Sequence, residues 1–293
     1  MMLFKTFSIL IIFIFSCSSL QENNKAEAYN LETPTEIFVL ERELNEISSL
    51  AFNSKGNNIL TNEDESGIVF MLNKENCEIV KKENFAKEGD YESIEMVDDD
   101  IIICKNSGTL FFYNSITKKT KKIKTPLSKE NNVEGLCYLK TKNALLLACK
   151  GQPLDQKKGK KNKKCVYAYD LSKNVLNPDP FLKITDDELE DFLKNDFNGL
   201  TKSQFKKFKN KLEDFAPSGI AVHPITGSYF IISARGSTLI IIGTNKKIKK
   251  IHFLDDQIIV QPEGITFDDN NNLFIATEGS GYNGKIFKFA VEK

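Results

Sequence analysis

The chain has no tryptophan and only two histidines, His223 and His252, in 293 residues. His223 sits in a His-Pro turn and His252 in a charged run, so neither is placed to serve a Ser/His/Asp triad, and that chemistry is not expected. Net charge is also missing: 40 basic residues balance 40 acidic ones, and no global field attracts nucleic acid. The six cysteines show no CxxC spacing, which argues against a zinc site. No apolar run reaches the ~20 residues that span a bilayer. The absence of tryptophan beside abundant Lys, Asn and Ile fits an AT-rich coding sequence and says nothing about chemistry.

What is present suits an ordered domain. Hydrophobic residues make up 41%, including 22 Phe and 8 Tyr, enough to fill a substantial core. The first sixteen residues stand apart, with Lys5 followed by the short apolar run Ile9 to Phe15, the length of a signal-peptide core. Ile14-Phe15-Ser16-Cys17 resembles the lipobox of bacterial lipoproteins, with Phe15 bulkier than usual. Acylation of Cys17 would hold the protein stably at a membrane, since each buried CH₂ contributes about 0.8 kcal/mol and several chains would act together. The expected organisation is a signal peptide over 1–16, a polar tether over 17–34, and a folded domain over 35–293 outside the cytoplasm.

Cys77, Cys104, Cys137, Cys149 and Cys165 remain, mostly inside apolar runs such as Leu145 to Cys149. Buried thiols are expected, with Cys137–Cys149 the one disulfide worth testing, because both fall in one repeat.

That repeat organises the chain. Five segments share a small or polar pair followed by a β-rich strand: Ile47 to Phe52, Tyr91 to Met96, Val133 to Tyr138, Pro217 to Val222 and Pro262 to Phe267. Turns rich in Asn, Asp, Gly or Lys follow, such as Asn53-Ser54-Lys55-Gly56 and Asp268 to Asn271. A second apolar strand, a third, and a more charged fourth complete each unit. Four antiparallel strands recurring every ~42 residues indicate a β-propeller blade. The last unit lacks a fourth strand, and Glu36 to Leu40 can supply it, closing the ring. The gap between the third and fourth motifs is twice the usual spacing. Either a sixth blade lies there or insertions do. Insertions are favoured: a lysine-rich loop over Gln156 to Lys164, and helix over 185–215, opened by a Thr185/Glu188 capping box. The expected fold is all-β, a propeller of five four-stranded blades, with six as the alternative.

Asn132-Val133-Glu134-Gly135-Leu136, Pro217-Ser218-Gly219-Ile220-Ala221-Val222-His223-Pro224 and Gln261-Pro262-Glu263-Gly264-Ile265-Thr266-Phe267 resemble the SdiA-regulated (YjiK-like) propeller family. The likeness covers most of the mature chain and departs at Ser49 and Ser93, which replace the commoner glycine. It implies an exported propeller and assigns no activity.

In a propeller, equivalent inner-strand positions form a ring. The motif's second residues are Ser48, Glu92, Glu134, Ser218 and Glu263. Converging carboxylates repel, and a hard cation, Ca²⁺ or Mg²⁺, would relieve them. The antiparallel second strands end on the same face with Glu63, Lys105, Lys150, Arg235 and Glu278. Their cations could neutralise the carboxylates without a metal, or grip an anionic ligand beside one. The lysine run 157–164 reads as a solvated loop, and Gly279 to Gly284 as a hairpin rather than a phosphate loop. The sequence thus points to a lipid-anchored module at the cell envelope, partnered by the membrane and by a small ligand or protein, with no nucleic acid. A metal-dependent hydrolase of lactonase or phosphoesterase type, using the same carboxylates, is the alternative.

Overall fold

The computed structural model describes residues 26–53, 56–154, 163–197 and 199–292. The signal peptide and Cys17 lie outside them, as do Ser54, Lys55 and residues 155–162 of the lysine-rich loop. No helix among the described residues is long and apolar enough to cross a membrane.

Five antiparallel sheets follow one another as blades, with β1 (Glu36–Val39) ahead of the first. The first blade is β2 (Ile47–Phe52), β3 (Asn58–Glu63), β4 (Ile68–Asn73) and β5 (Ile79–Asn84). The second is β6 (Tyr91–Val97), β7 (Asp100–Lys105), β8 (Leu110–Asn114) and β9 (Lys119–Ile123). The third holds β10 (Val133–Leu139), β11 (Ala144–Cys149) and β12 (Lys163–Asp170), whose outer edge is shared by the short β13 (Val175–Leu176) and β14 (Leu182–Thr185). The fourth is β15 (Gly219–Val222), β16 (Tyr229–Ser233), β17 (Thr238–Ile242) and β18 (Ile248–Phe253). The fifth is β19 (Pro262–Phe267), β20 (Leu273–Thr277) and β21 (Lys285–Phe289), completed by β1 from the other end of the chain. Five blades, not six, close the ring.

Composition explains the radial order. Second strands such as β11 and β16 are buried throughout because both faces pack against neighbouring blades. The outer β9, Lys-Thr-Lys-Lys-Ile, is exposed almost throughout, and lysines on a free edge discourage pairing with another chain. Closure fixes Glu36 opposite Lys288, and the two side chains form a 2.6 Å ion pair.

One expectation needs correction. The tether was expected to reach residue 34, yet residues 26–31 are part of the folded body. Glu27 and Tyr29 are buried, Tyr29 pairs with Val291, and Glu27 forms an ion pair with Lys249 at 2.5 Å. Tyr29 Oη donates to the Asn271 carbonyl at 2.8 Å and lies 2.9 Å from His223 Nε2. His223 Nδ1 accepts from the amides of Ile225 and Thr226, so Nε2 carries the proton and donates to Tyr29. The disulfide alternative is not formed: Cys137 faces Leu146, well away from Cys149, while Cys149 pairs in register with Cys165. All five described cysteines are buried thiols outside any disulfide, as expected.

The insertion is a helical hairpin, α1 (Asp186–Asp196) and α2 (Lys202–Glu213). Thr185 and Glu188 form the expected capping box, and Thr201 with Gln204 forms a second. Leu189, Leu193 and Leu212 join the core between the third and fourth blades, so the apolar helix face is spent on the host domain.

Candidate functional site

The inner strands β2, β6, β10, β15 and β19 neighbour one another in cyclic order around the axis. In four of them the register with the second strand slips by one residue at the motif, between Ile47 and Ser49, Tyr91 and Ser93, Val133 and Gly135, and Pro262 and Gly264. The skipped residues are Ser48, Glu92, Glu134 and Glu263. A β-bulge re-aims the side chain of the residue it leaves unpaired, so the same backbone device delivers each ring residue. Ser218, the fifth, precedes the first β15–β16 pair; its Oγ donates to the Pro262 carbonyl at 2.5 Å and accepts from the Ala234 amide at 3.1 Å.

At this mouth Lys150 gathers the acids. Its Nζ lies 3.2 Å from Glu134 Oε1, which also accepts from Asn132 Nδ2 at 2.6 Å. Burial opposes charge on Lys150, but Glu134, Glu263 and Glu92 outweigh it and raise the ammonium's pKa. Burial, then the Glu134 charge, lifts the Glu92 carboxyl well above its ordinary range. Glu134 is also raised, by burial, against the pull of Lys150. Glu263 is pushed up to about 8, mainly by burial, and Glu278 to about 7 by burial and the charges of Glu46 and Asp64.

The remaining candidates have local roles. Ser48 donates to the Glu46 carbonyl at 3.3 Å. Glu63 accepts from the amides of Glu65 and Ser66, closing its own turn. Lys105 lies 4.8 Å from the Tyr91 ring centre, and the exposed Arg235 is 3.8 Å from Asp214. The site is therefore Glu92, Glu134, Glu263 and Glu278 around Lys150. Lys150 supplies the balancing charge, and among the described residues no three acid, thiol or imidazole side chains form a group able to hold a metal ion.

One residue further along each inner strand, the blades touch. A Cβ on Gly219 would lie 2.5 Å from the Glu263 carbonyl oxygen, one on Gly264 3.0 Å from the Leu50 amide, and one on Gly135 3.0 Å from the Ile220 amide. Glycine stands there because the neighbouring backbone occupies the space a side chain needs. Ser49 departs from glycine and uses its hydroxyl instead: Oγ accepts from the Ile94 amide at 2.7 Å and donates to Asn62 Oδ1 at 2.9 Å.

Beyond this constriction, all five inner strands line a cavity of about 270 Å³ that opens at the Pro224 and Asp268–Asp269 turns. Glu95 of β6 lies in its wall, a residue that sequence reasoning missed. The alternation of β6 places it near the axis, but nothing in the repeat marks it, since no other motif has an acid at that position.

Similar solved structures share the architecture. A Myxococcus xanthus glutaminyl cyclase is 10% identical with a TM-score of 0.54, over 89% of this chain and 97% of that one. The β-propeller domain of Myceliophteria thermophila Cps50 (Swd1) is 9% identical at a TM-score of 0.42, over 86% and 66%. A chain of a nidogen/laminin complex is 9% identical at 0.49, over 79% and 72%. At such identities the first likeness shows the fold alone, and the other two add nothing to it. No curated protein matches the sequence. The family model described as SdiA-regulated matches residues 23–282, which takes in four blades and all of the fifth but β21, and the chain belongs to the SdiA-regulated family.

Proposed function

We propose that this protein is a lipid-anchored binding module of the cell envelope, acting through the Glu92/Glu134/Glu263 mouth of its channel. The observation that carries the reading is the bulge repeated in four inner strands, three of which aim a carboxylate at the axis. Each carboxylate is held partly desolvated near its fellows, an arrangement that costs stability and is characteristic of sites that meet a ligand. A protein needing only a closed ring would place apolar residues there.

The packed strap at residues 26–31 supports an orientation. It runs beside His223 and Asn271, in turns at the end opposite the acid mouth. From Cys17 to Ala26 the chain spans at most ~32 Å at ~3.6 Å per residue. An anchor at Cys17 would turn the cavity end toward the membrane and the acid mouth outward, toward partners.

A divalent cation would have to displace Lys150 from Glu134. Calorimetry of the full-length protein with Ca²⁺ and Mg²⁺, against the Glu92→Gln/Glu134→Gln/Glu263→Gln variant, tests this directly. Micromolar binding lost in the variant supports a cation-binding mouth. Without it, crosslinking of both proteins in the envelope decides the broader reading: a folded variant that captures the same partners as wild type overturns it. Acyl labelling lost in Cys17→Ala supports the anchor, and labelling that survives overturns it. No arrangement among the described residues favours hydrolysis over binding, and the cyclase activity of the Myxococcus protein is not carried over.

A further inference from the structure

We infer that the cavity at the other end of the channel is a second binding site, for a compact organic ammonium. Three features converge there. Apolar side chains line part of the wall, with Leu50, Leu136, Ile220 and Ile265 drawn from four blades. The volume of about 270 Å³ lies just under the ~300–1,000 Å³ usual for small-molecule pockets and so suits a compact ligand. The polar groups are of one sign: Glu95 in the wall, Asp268 and Asp269 at the rim, and no basic side chain among the described lining residues.

Glu95 is set firmly. Oε1 accepts from the Met96 amide at 2.8 Å and Oε2 from the Tyr138 amide of the next blade at 2.8 Å. A carboxylate offers about four acceptor positions, so each oxygen keeps one for a ligand. Asp268 accepts from the amides of Asn270 and Asn272 and from Asn272 Nδ2. These donors are neutral, and the negative charges stay unbalanced by any cation on the wall. Tyr138 and Phe267 add aromatic rings to the lining, and an ammonium gains from ring faces and desolvated carboxylates together. Burial pushes the Glu95 carboxyl up to about 7, as an enclosed acid without a counter-cation should be. The acid mouth differs because Lys150 already supplies its cation.

The test uses the full-length protein, choline, and its uncharged isostere 3,3-dimethyl-1-butanol, followed by calorimetry at pH 8. Choline should bind at least about ten-fold more tightly than the alcohol, as expected when a charge-assisted contact is the difference. Glu95→Gln should lower choline affinity by about ten-fold or more, and Glu134→Gln at the opposite mouth should leave it unchanged. Equal affinity for the two probes overturns the inference, as does no binding of choline, or loss in Glu134→Gln alone. Should Glu95→Gln fail to fold, wild type decides the matter by itself. Choline affinity should fall between pH 8 and pH 5.5 as Glu95 takes up a proton, and affinity that stays constant overturns the assignment.

Discussion

The two ends of the channel are built from the same five strands and solve opposite problems. At one end, bulges turn Glu92, Glu134 and Glu263 inward, and Lys150 pairs with Glu134 and feels the charge of all three. At the other, the strands run in regular register, Leu50, Leu136, Ile220 and Ile265 line part of the wall, and the acid Glu95 leans on backbone amides. Between them the Gly219 and Gly264 contacts draw the blades together. A one-residue slip in pairing is enough to separate the acid mouth from the cavity, because strand side chains alternate with a period of two.

The largest expected effect comes from forcing the constriction. Gly219→Val sets a side chain against the Glu263 carbonyl, 2.5 Å from the ideal Cβ position, and should cost about 3 kcal/mol or more, read as a drop in thermal midpoint. Equal stability would mean that the ends are not separated there. Next is the acid mouth. Lys150→Met leaves its carboxylates unbalanced and should cost about 2–3 kcal/mol at pH 8, below the ~3–5 of a fully buried pair, because the Lys150 side chain keeps 27% exposure. Much of that loss should disappear at pH 6, where the carboxyls hold protons, and denaturant titrations at both pH values would check it.

Acidity sharpens the comparison without mutation. Glu263 near 8 and Glu95 and Glu278 near 7 bind protons more tightly folded than unfolded. Their contribution is present below about pH 4.5 and lost as pH rises to 7–8. Wild type should therefore gain about 3 kcal/mol between pH 8 and pH 6.5, taking ~1.4 kcal/mol per unit over the range in which each of the three groups titrates. Below pH 6.5 His223 and His252 act the other way: burial lowers both, His252 to about 4, and the unfolded chain takes up their protons first. The smallest effect is at the strap, where Tyr29→Phe removes the hydrogen bonds to His223 and Asn271 and should cost about 1 kcal/mol. A loss that small, with the domain still folded, would show that the strap holds the cavity end without nucleating the fold.

Much of this architecture was legible beforehand for a physical reason. A propeller repeats one supersecondary unit, so the Pro262-Glu263-Gly264 type of motif and its charged fourth strand recur at a readable period. The need to cover an open edge identified Glu36 to Leu40 as the closing strand. The ring residues were legible because equivalent positions of a repeat must share a radius. Their electrostatics were not. Lys105, Lys150 and Arg235 occupy similar strand ends, and only side-chain geometry sends Lys150 to Glu134, Lys105 to Tyr91 and Arg235 to Asp214.

The sequence by itself determined the four-stranded repeat, the closure, the helical insertion and the acids of the ring, since hydrophobic period and turn chemistry act locally and repeat. Tertiary structure alone decided the bulges, the strap and the cavity. A bulge depends on which residue the partner strand skips. Residues 26–31 read as a polar linker until ring closure brings Lys249, Thr226 and His223 within reach of Glu27 and Tyr29. Glu95 acquires its setting only when the next blade lends it the Tyr138 amide. Contacts between blades join residues far apart in the chain, and no local pattern encodes them.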